Sequence, residues 1–79
     1  MDDNVSTPAQ GTYWRHYKGG LYKIIGHGII EATQQPAVIY QDATNMLSAL
    51  WIRPRAEWEE DMPTHGARFQ QVSAPERLL

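Results

Sequence analysis

Apolar and polar positions alternate weakly between Gly11 and Tyr17, with Tyr13, Arg15 and Tyr17 on one side and Trp14 and His16 on the other. A period of two predicts a short strand there. Lys18-Gly19-Gly20 then signals a tight turn, since glycine takes positive φ without penalty. Leu21 to Thr33 is the longest β-like segment. In a regular strand Tyr22, Ile24 and Ile30 share one face and Leu21, Ile25 and Ile29 the other. Apolar residues on both faces mean full burial or a change of phase. Gly26 and Gly28 favour the change of phase, because isolated strand glycines mark bulges and barrel corners. A helix fits poorly: each glycine would cost roughly 1 kcal/mol, and the isoleucines are β-branched.

Thr33 to Pro36 reads as a hairpin loop and Ala37 to Gln41 as a central strand. Asp42 to Ser48 is polar and suits a turn or one helical turn capped by Asp42 or Thr44. Leu50 to Arg53 is the next strand, closed by Pro54. Arg55 to Trp58 suits a single helical turn, with Pro54 at its start. The surrounding Glu57, Glu59, Glu60 and Asp61 form a solvated face. Pro63 to Gly66 is a loop, and Arg68 to Val72 a last short strand. These elements predict a mainly β fold: a small antiparallel β-barrel of about five strands with one short helical turn. Tyr22, Ile24, Ile25, Val38, Ile39, Leu50, Ile52 and Phe69 are its expected core, with Trp58 capping one end. One domain over residues 11–72 is expected, with an N-terminal tail over 1–10 and a C-terminal tail over 73–79.

Composition sharpens this picture in three places. A chain of 79 residues is one domain or less, and a chain this short buries only about 60% of its unfolded surface. With no cysteine, no disulfide or thiolate zinc site staples it, so its three Trp, four Tyr and one Phe carry much of the core. A net charge of −2 argues against a strongly basic nucleic-acid binder, while a local basic patch stays open. No run approaches the ~20 apolar residues of a membrane helix. Met1 to Asn4 is acidic with no apolar segment behind it, so the cytoplasm is the expected compartment.

Arg15-His16-Tyr17-Lys18-Gly19-Gly20-Leu21-Tyr22, preceded by Gly11 and Tyr13, is followed in order by Val38-Ile39-Tyr40, Leu50-Trp51-Ile52-Arg53-Pro54 and Arg68-Phe69. In these pieces the chain resembles the small bacterial DUF1653 family, a domain of unknown function. The likeness spans roughly residues 11–71. It implies an SH3-like barrel and no particular activity. Three departures stand out. Ile30 and Ala32 occupy places where the family usually has a His and an acid before the Thr matching Thr33. Trp58 replaces a usual Phe, and Gln41 a frequent basic residue.

The main candidate site is a basic-aromatic set: Arg15, His16, Tyr17, Lys18, Tyr40, Trp51, Arg53 and Arg68. Guanidinium planes and exposed rings can stack bases and hold phosphates, or cradle a peptide. The competing reading is structural, with Tyr17, Tyr40 and Trp51 in the core and Arg53 and Arg68 paired to Glu31, Asp42 or the Glu57 to Asp61 run. A metal or acid-base site from His16, His27, His65, Glu31 and Asp42 is the second candidate, and no two of these histidines have ligand-like spacing. Ser6, Ser48 and Ser73 lie in no nucleophile-elbow context. Lys18-Gly19-Gly20 lacks the pattern of a phosphate loop and is more simply a hairpin turn.

The leading expectation is therefore a non-catalytic binding module with a nucleic-acid or protein ligand, no catalytic or metal-ligating residue and no cofactor. On that reading Arg53→Ala weakens binding and leaves the fold intact. The alternative is a small metal-dependent enzyme or accessory protein using His16 with Asp42 or Glu31. Self-association is a third possibility, since small domains gain buried surface that way.

Overall fold

The computed structural model describes residues 8–75 of the chain. The strands are β1 (Tyr13–His16), β2 (Leu21–Ile30), β3 (Gln35–Asp42), β4 (Trp51–Pro54), β5 (Asp61–Met62), β6 (Gly66–Ala67) and β7 (Phe69–Val72), and the one helical turn is α1 (Arg55–Trp58). Five strands form one antiparallel sheet in the order β4-β3-β2-β1-β7, and β5 and β6 pair as a separate small hairpin.

The Gly-Gly signal closes the β1–β2 hairpin. The His16 N–H donates to the Gly20 carbonyl at 2.8 Å, and the Gly19 N–H donates to the His16 carbonyl at 2.7 Å. Gly19 has φ +109°, where a Cβ would strain the backbone although nothing crowds it. Gly19→Ala is expected to cost about 1–2 kcal/mol of stability. A urea melt with a lower midpoint and an unchanged slope would show this.

The phase change in β2 is a bulge between Ile24 and Gly26. Before it Tyr22 and Ile24 share a face; after it the two glycines lie beside Ile39 and Ala37. The following turn lies two residues earlier than Thr33 to Pro36. Gln34 takes φ +63°, and its side-chain amide donates to the Glu31 carbonyl at 2.8 Å. Gln35 and Pro36 are already paired with Ile30 and Ile29. The loop between β3 and β4 is tied by Gln41, which is 9% exposed and donates through Nε2 to the carbonyls of Met46 and Ser48 at 3.0 and 2.9 Å.

Trp14, Ile24, Val38, Tyr40, Trp58 and Phe69 form the core, with Tyr22 packed against it. Trp58 is central rather than a cap. Its ring stacks on Phe69 at 3.7 Å and meets Tyr40 and Trp14 edge-on at 4.9 and 5.7 Å. Leu50 and Ile52, expected in the core, are 52% and 62% exposed. On β4 Arg53 is instead half-buried, opposite Val38, while Trp51, opposite Tyr40, is 52% exposed. Ile25 and Ile39 are half-buried. Trp14 and Tyr40 take the central places that the expected core omits.

The closed barrel expected from sequence is not found: among the described residues β4 and β7 are unpaired edges of the sheet. The sheet is nevertheless strongly curled. A flat five-stranded sheet would hold its edge strands about 19 Å apart. Yet the guanidinium of Arg53 on β4 lies 5.7 Å from the ring centre of Phe69 on β7. Trp58 of α1 stacks on the same Phe69 and meets Tyr40 of β3. Of the expected tails, residues 1–7 and 76–79 lie outside the described residues. Pro8 is fully buried, and its carbonyl accepts a hydrogen bond from His27 Nε2.

Candidate functional site

The eight residues of the basic-aromatic set divide into two groups. Tyr40 is 6% exposed and sits in the core. Its hydroxyl accepts from Arg53 Nε at 3.1 Å, while Arg53 Nη1 lies 3.5 Å from Glu57 Oε1. Arg68 donates through Nε to the Glu57 carbonyl at 3.0 Å and through Nη2 to Glu60 Oε1 at 2.8 Å. Both arginines are therefore engaged with the helical turn and the acidic run after it. Trp51 is half exposed on the edge strand β4.

Arg15, His16, Tyr17 and Lys18 form the second group, at the end of β1. The neutral His16 ring uses Nδ1 to accept the Lys18 N–H at 3.1 Å, so its proton sits on Nε2. The ring lies edge-on to Phe69 at 4.9 Å and tilted over Tyr17 at 4.6 Å. Tyr17 continues the row to His65, at 5.1 Å. The ammonium of Lys18 stands 5.7 Å from the Tyr17 ring centre. These rings border an open cleft of about 280 Å³, which Arg15 and Gln70 also line. Arg15 is exposed and gives one N–H to the Gly19 carbonyl at 2.9 Å. Planar faces and donors thus share one concavity.

His65 comes from the turn between β5 and β6, and only that hairpin brings it beside Tyr17. No local spacing signals this pairing. The other titratable candidates lie elsewhere. The Asp42 carboxylate accepts from the Thr44 hydroxyl and N–H at 2.7 and 2.8 Å, and these bonds, the hydroxyl first, hold its pKa below the ordinary value. Glu31 is exposed in the β2–β3 turn. Among the described residues no three His, Asp or Glu side chains come together as a metal site, and no helix is long and apolar enough to cross a membrane.

Burial lowers the His16 pKa below the ordinary 6.5, and the charges of Arg53, Arg68 and Lys18 lower it further. The unfolded chain therefore binds a proton more readily than the folded one. His16 imposes no penalty above the unfolded pKa near 6.5, and stability falls as pH drops from there through the folded pKa. Urea midpoints measured between pH 8 and pH 5 should decline on acidification, and His16→Gln should flatten that decline.

A family model for a protein of unknown function, DUF1653, matches residues 12–71. The chain belongs to the DUF1653 family. No curated protein and no solved structure matches it. The DUF1653 match runs from just before β1 almost to the end of β7. It therefore takes in Arg15, His16, Tyr17, Lys18, His65 and Gln70. Family membership carries a fold-wide likeness and no activity, so the chemistry of the cleft must argue for itself.

Proposed function

We propose that this domain is a non-catalytic binding module whose cleft beside β1 takes single-stranded nucleic acid. The observation that carries this reading is the row His16–Tyr17–His65, with ring centres 4.6 and 5.1 Å apart, flanked by Arg15 and Lys18. Bases stack on such rings whatever their sequence, and the cations meet the phosphates. A peptide would gain less from consecutive flat rings. The negative net charge is no obstacle, because no acidic side chain is among the described residues that line the cleft. The working surface shrinks to Arg15, His16, Tyr17 and Lys18, joined by His65. We read the curled sheet as an open relative of the SH3-like barrel, with α1 in the place of the missing closure.

Fluorescence anisotropy with a labelled single-stranded RNA of about ten nucleotides tests the proposal. Two phosphate contacts should give a log–log salt slope of about −1.4. Tyr17→Ala should weaken binding about 10-fold or more, the loss of one stacked base. Equal binding by Tyr17→Ala and wild type, or no binding at low salt, would overturn it.

A further inference from the structure

Six large hydrophobic residues are exposed among the described residues, and five of them lie between Met46 and Ile52. This stretch ends in β4, which is an unpaired edge of the sheet among the described residues. The opposite edge, β7, differs: its exposed residues are Gln70 and Gln71. Natural edges are usually guarded by polar or charged side chains. β7 follows that rule. β4 presents Trp51 and Ile52, 52% and 62% exposed.

The backbone of β4 shows what could cover them. Successive residues of an antiparallel strand point their N–H and C=O alternately to the two sides. The Ala43 N–H donates to the Leu21 carbonyl at 2.9 Å, so odd-numbered positions of β3 face β2 and even-numbered ones face β4. Val38 and Tyr40 therefore bond with Arg53 and Trp51. Ile52 and Pro54 turn their backbones outward. Pro54 has no N–H to leave unpaired, and Ile52 has both a donor and an acceptor free for another strand.

We infer that β4 is a self-pairing edge, and that a second copy of this chain docks on it antiparallel about a two-fold axis through Ile52. In that register the two Ile52 residues exchange N–H···O=C bonds, and each Leu50 N–H reaches the Pro54 carbonyl of the other copy. Each Trp51 falls beside the second copy's Arg53, as a close pair whose ring and guanidinium attract. Ile52 packs on Ile52. The register that would set Arg53 against Arg53 is disfavoured by like charge. One patch thus complements itself, as an isologous dimer requires. This inference is independent of the cleft beside β1.

The experiment combines sedimentation equilibrium with single cysteines, which the cysteine-free chain allows without background. Wild type should sediment as a dimer at about 100 μM, a concentration that populates complexes of micromolar affinity. Ile52→Asp should sediment as a monomer with an unchanged circular dichroism spectrum. Paired Ile52 Cα atoms would stand about 5.5 Å apart, within disulfide reach. Mild oxidation should therefore cross-link Ile52→Cys about 10-fold faster than Gln71→Cys on the β7 edge, whose partner thiol is not held in reach. A monomeric wild type, or equal cross-linking by both cysteine variants, would overturn the inference. If Ile52→Asp fails to fold, the cysteine pair decides alone.

Discussion

Trp58→Ala should remove about 3–5 kcal/mol of stability, a large share of the total. The indole is 2% exposed and stacks on Phe69 with 3° between the planes, while Tyr40 and Trp14 close on its edges. Deleting a buried tryptophan typically costs about 3–5 kcal/mol. A chain of this length has only about 4–12 kcal/mol in total. Thermal melts followed by near-ultraviolet circular dichroism would show a much lower midpoint than wild type. Trp58→Phe should be far milder, at about 1–2 kcal/mol. The indole Nε1 is buried without a hydrogen-bond partner among the described residues. Phenylalanine keeps the stack on Phe69 and removes that orphan donor, which offsets part of the lost volume. The aromatic swap noted in the sequence at this position is thus one that the core can absorb. Equal damage from the two substitutions would show that the indole N–H has a partner.

Arg53→Ala should act on the fold rather than on a ligand. Its ion pair with Glu57 contributes little, because the glutamate side chain is 56% exposed and screened by water. The larger loss is at Tyr40, whose hydroxyl would keep its buried position and lose the Arg53 donor. Leaving that oxygen without Arg53, and stripping the guanidinium from over the Phe69 ring, should cost about 1–3 kcal/mol. A second readout separates this from a general loss of stability. Arg53 is the foremost of the charges that depress the His16 pKa, so its removal should move that pKa upward. Imidazole NMR shifts followed through pH would register the change in the folded protein. Nucleic-acid affinity at matched folded fraction should stay the same. If affinity drops while the urea midpoint stays put, Arg53 belongs to the binding surface after all.

Several features of this protein are local, and they are readable from residues a few positions apart. The turn at Gly19, the break of phase at Gly26 and the helical turn after Pro54 each depend on backbone freedom within one short segment. So does the alternation that makes β1 and β3 strands. The Glu57 to Asp61 run is one of the partners the sequence offers Arg53 and Arg68, beside Glu31 and Asp42, and the fold selects Glu57 and Glu60 from it. Beyond that reach, the sequence reads ambiguously for a physical reason. Alternation defines two faces of a strand and says nothing about which face is buried. On β4 the more apolar face, Ile52 with its neighbour Leu50, reads as the inner one, yet both are exposed and Arg53 is half-buried over the core. That choice is made by register against Tyr40 and Val38, a long-range contact. Curvature is likewise collective: it brings Arg53 over Phe69 from the two ends of the sheet and stops short of pairing β4 with β7. The cleft is decided at the same level. Arg15 to Lys18 stand together in the chain, but the β5–β6 hairpin sets His65 against Tyr17. The sequence by itself determined the strands of the main sheet, the turn at Gly19 and the four basic-aromatic residues at the end of β1. Only the tertiary structure decided which apolar residues face solvent and which rings meet, because both depend on packing between segments that are distant in the chain.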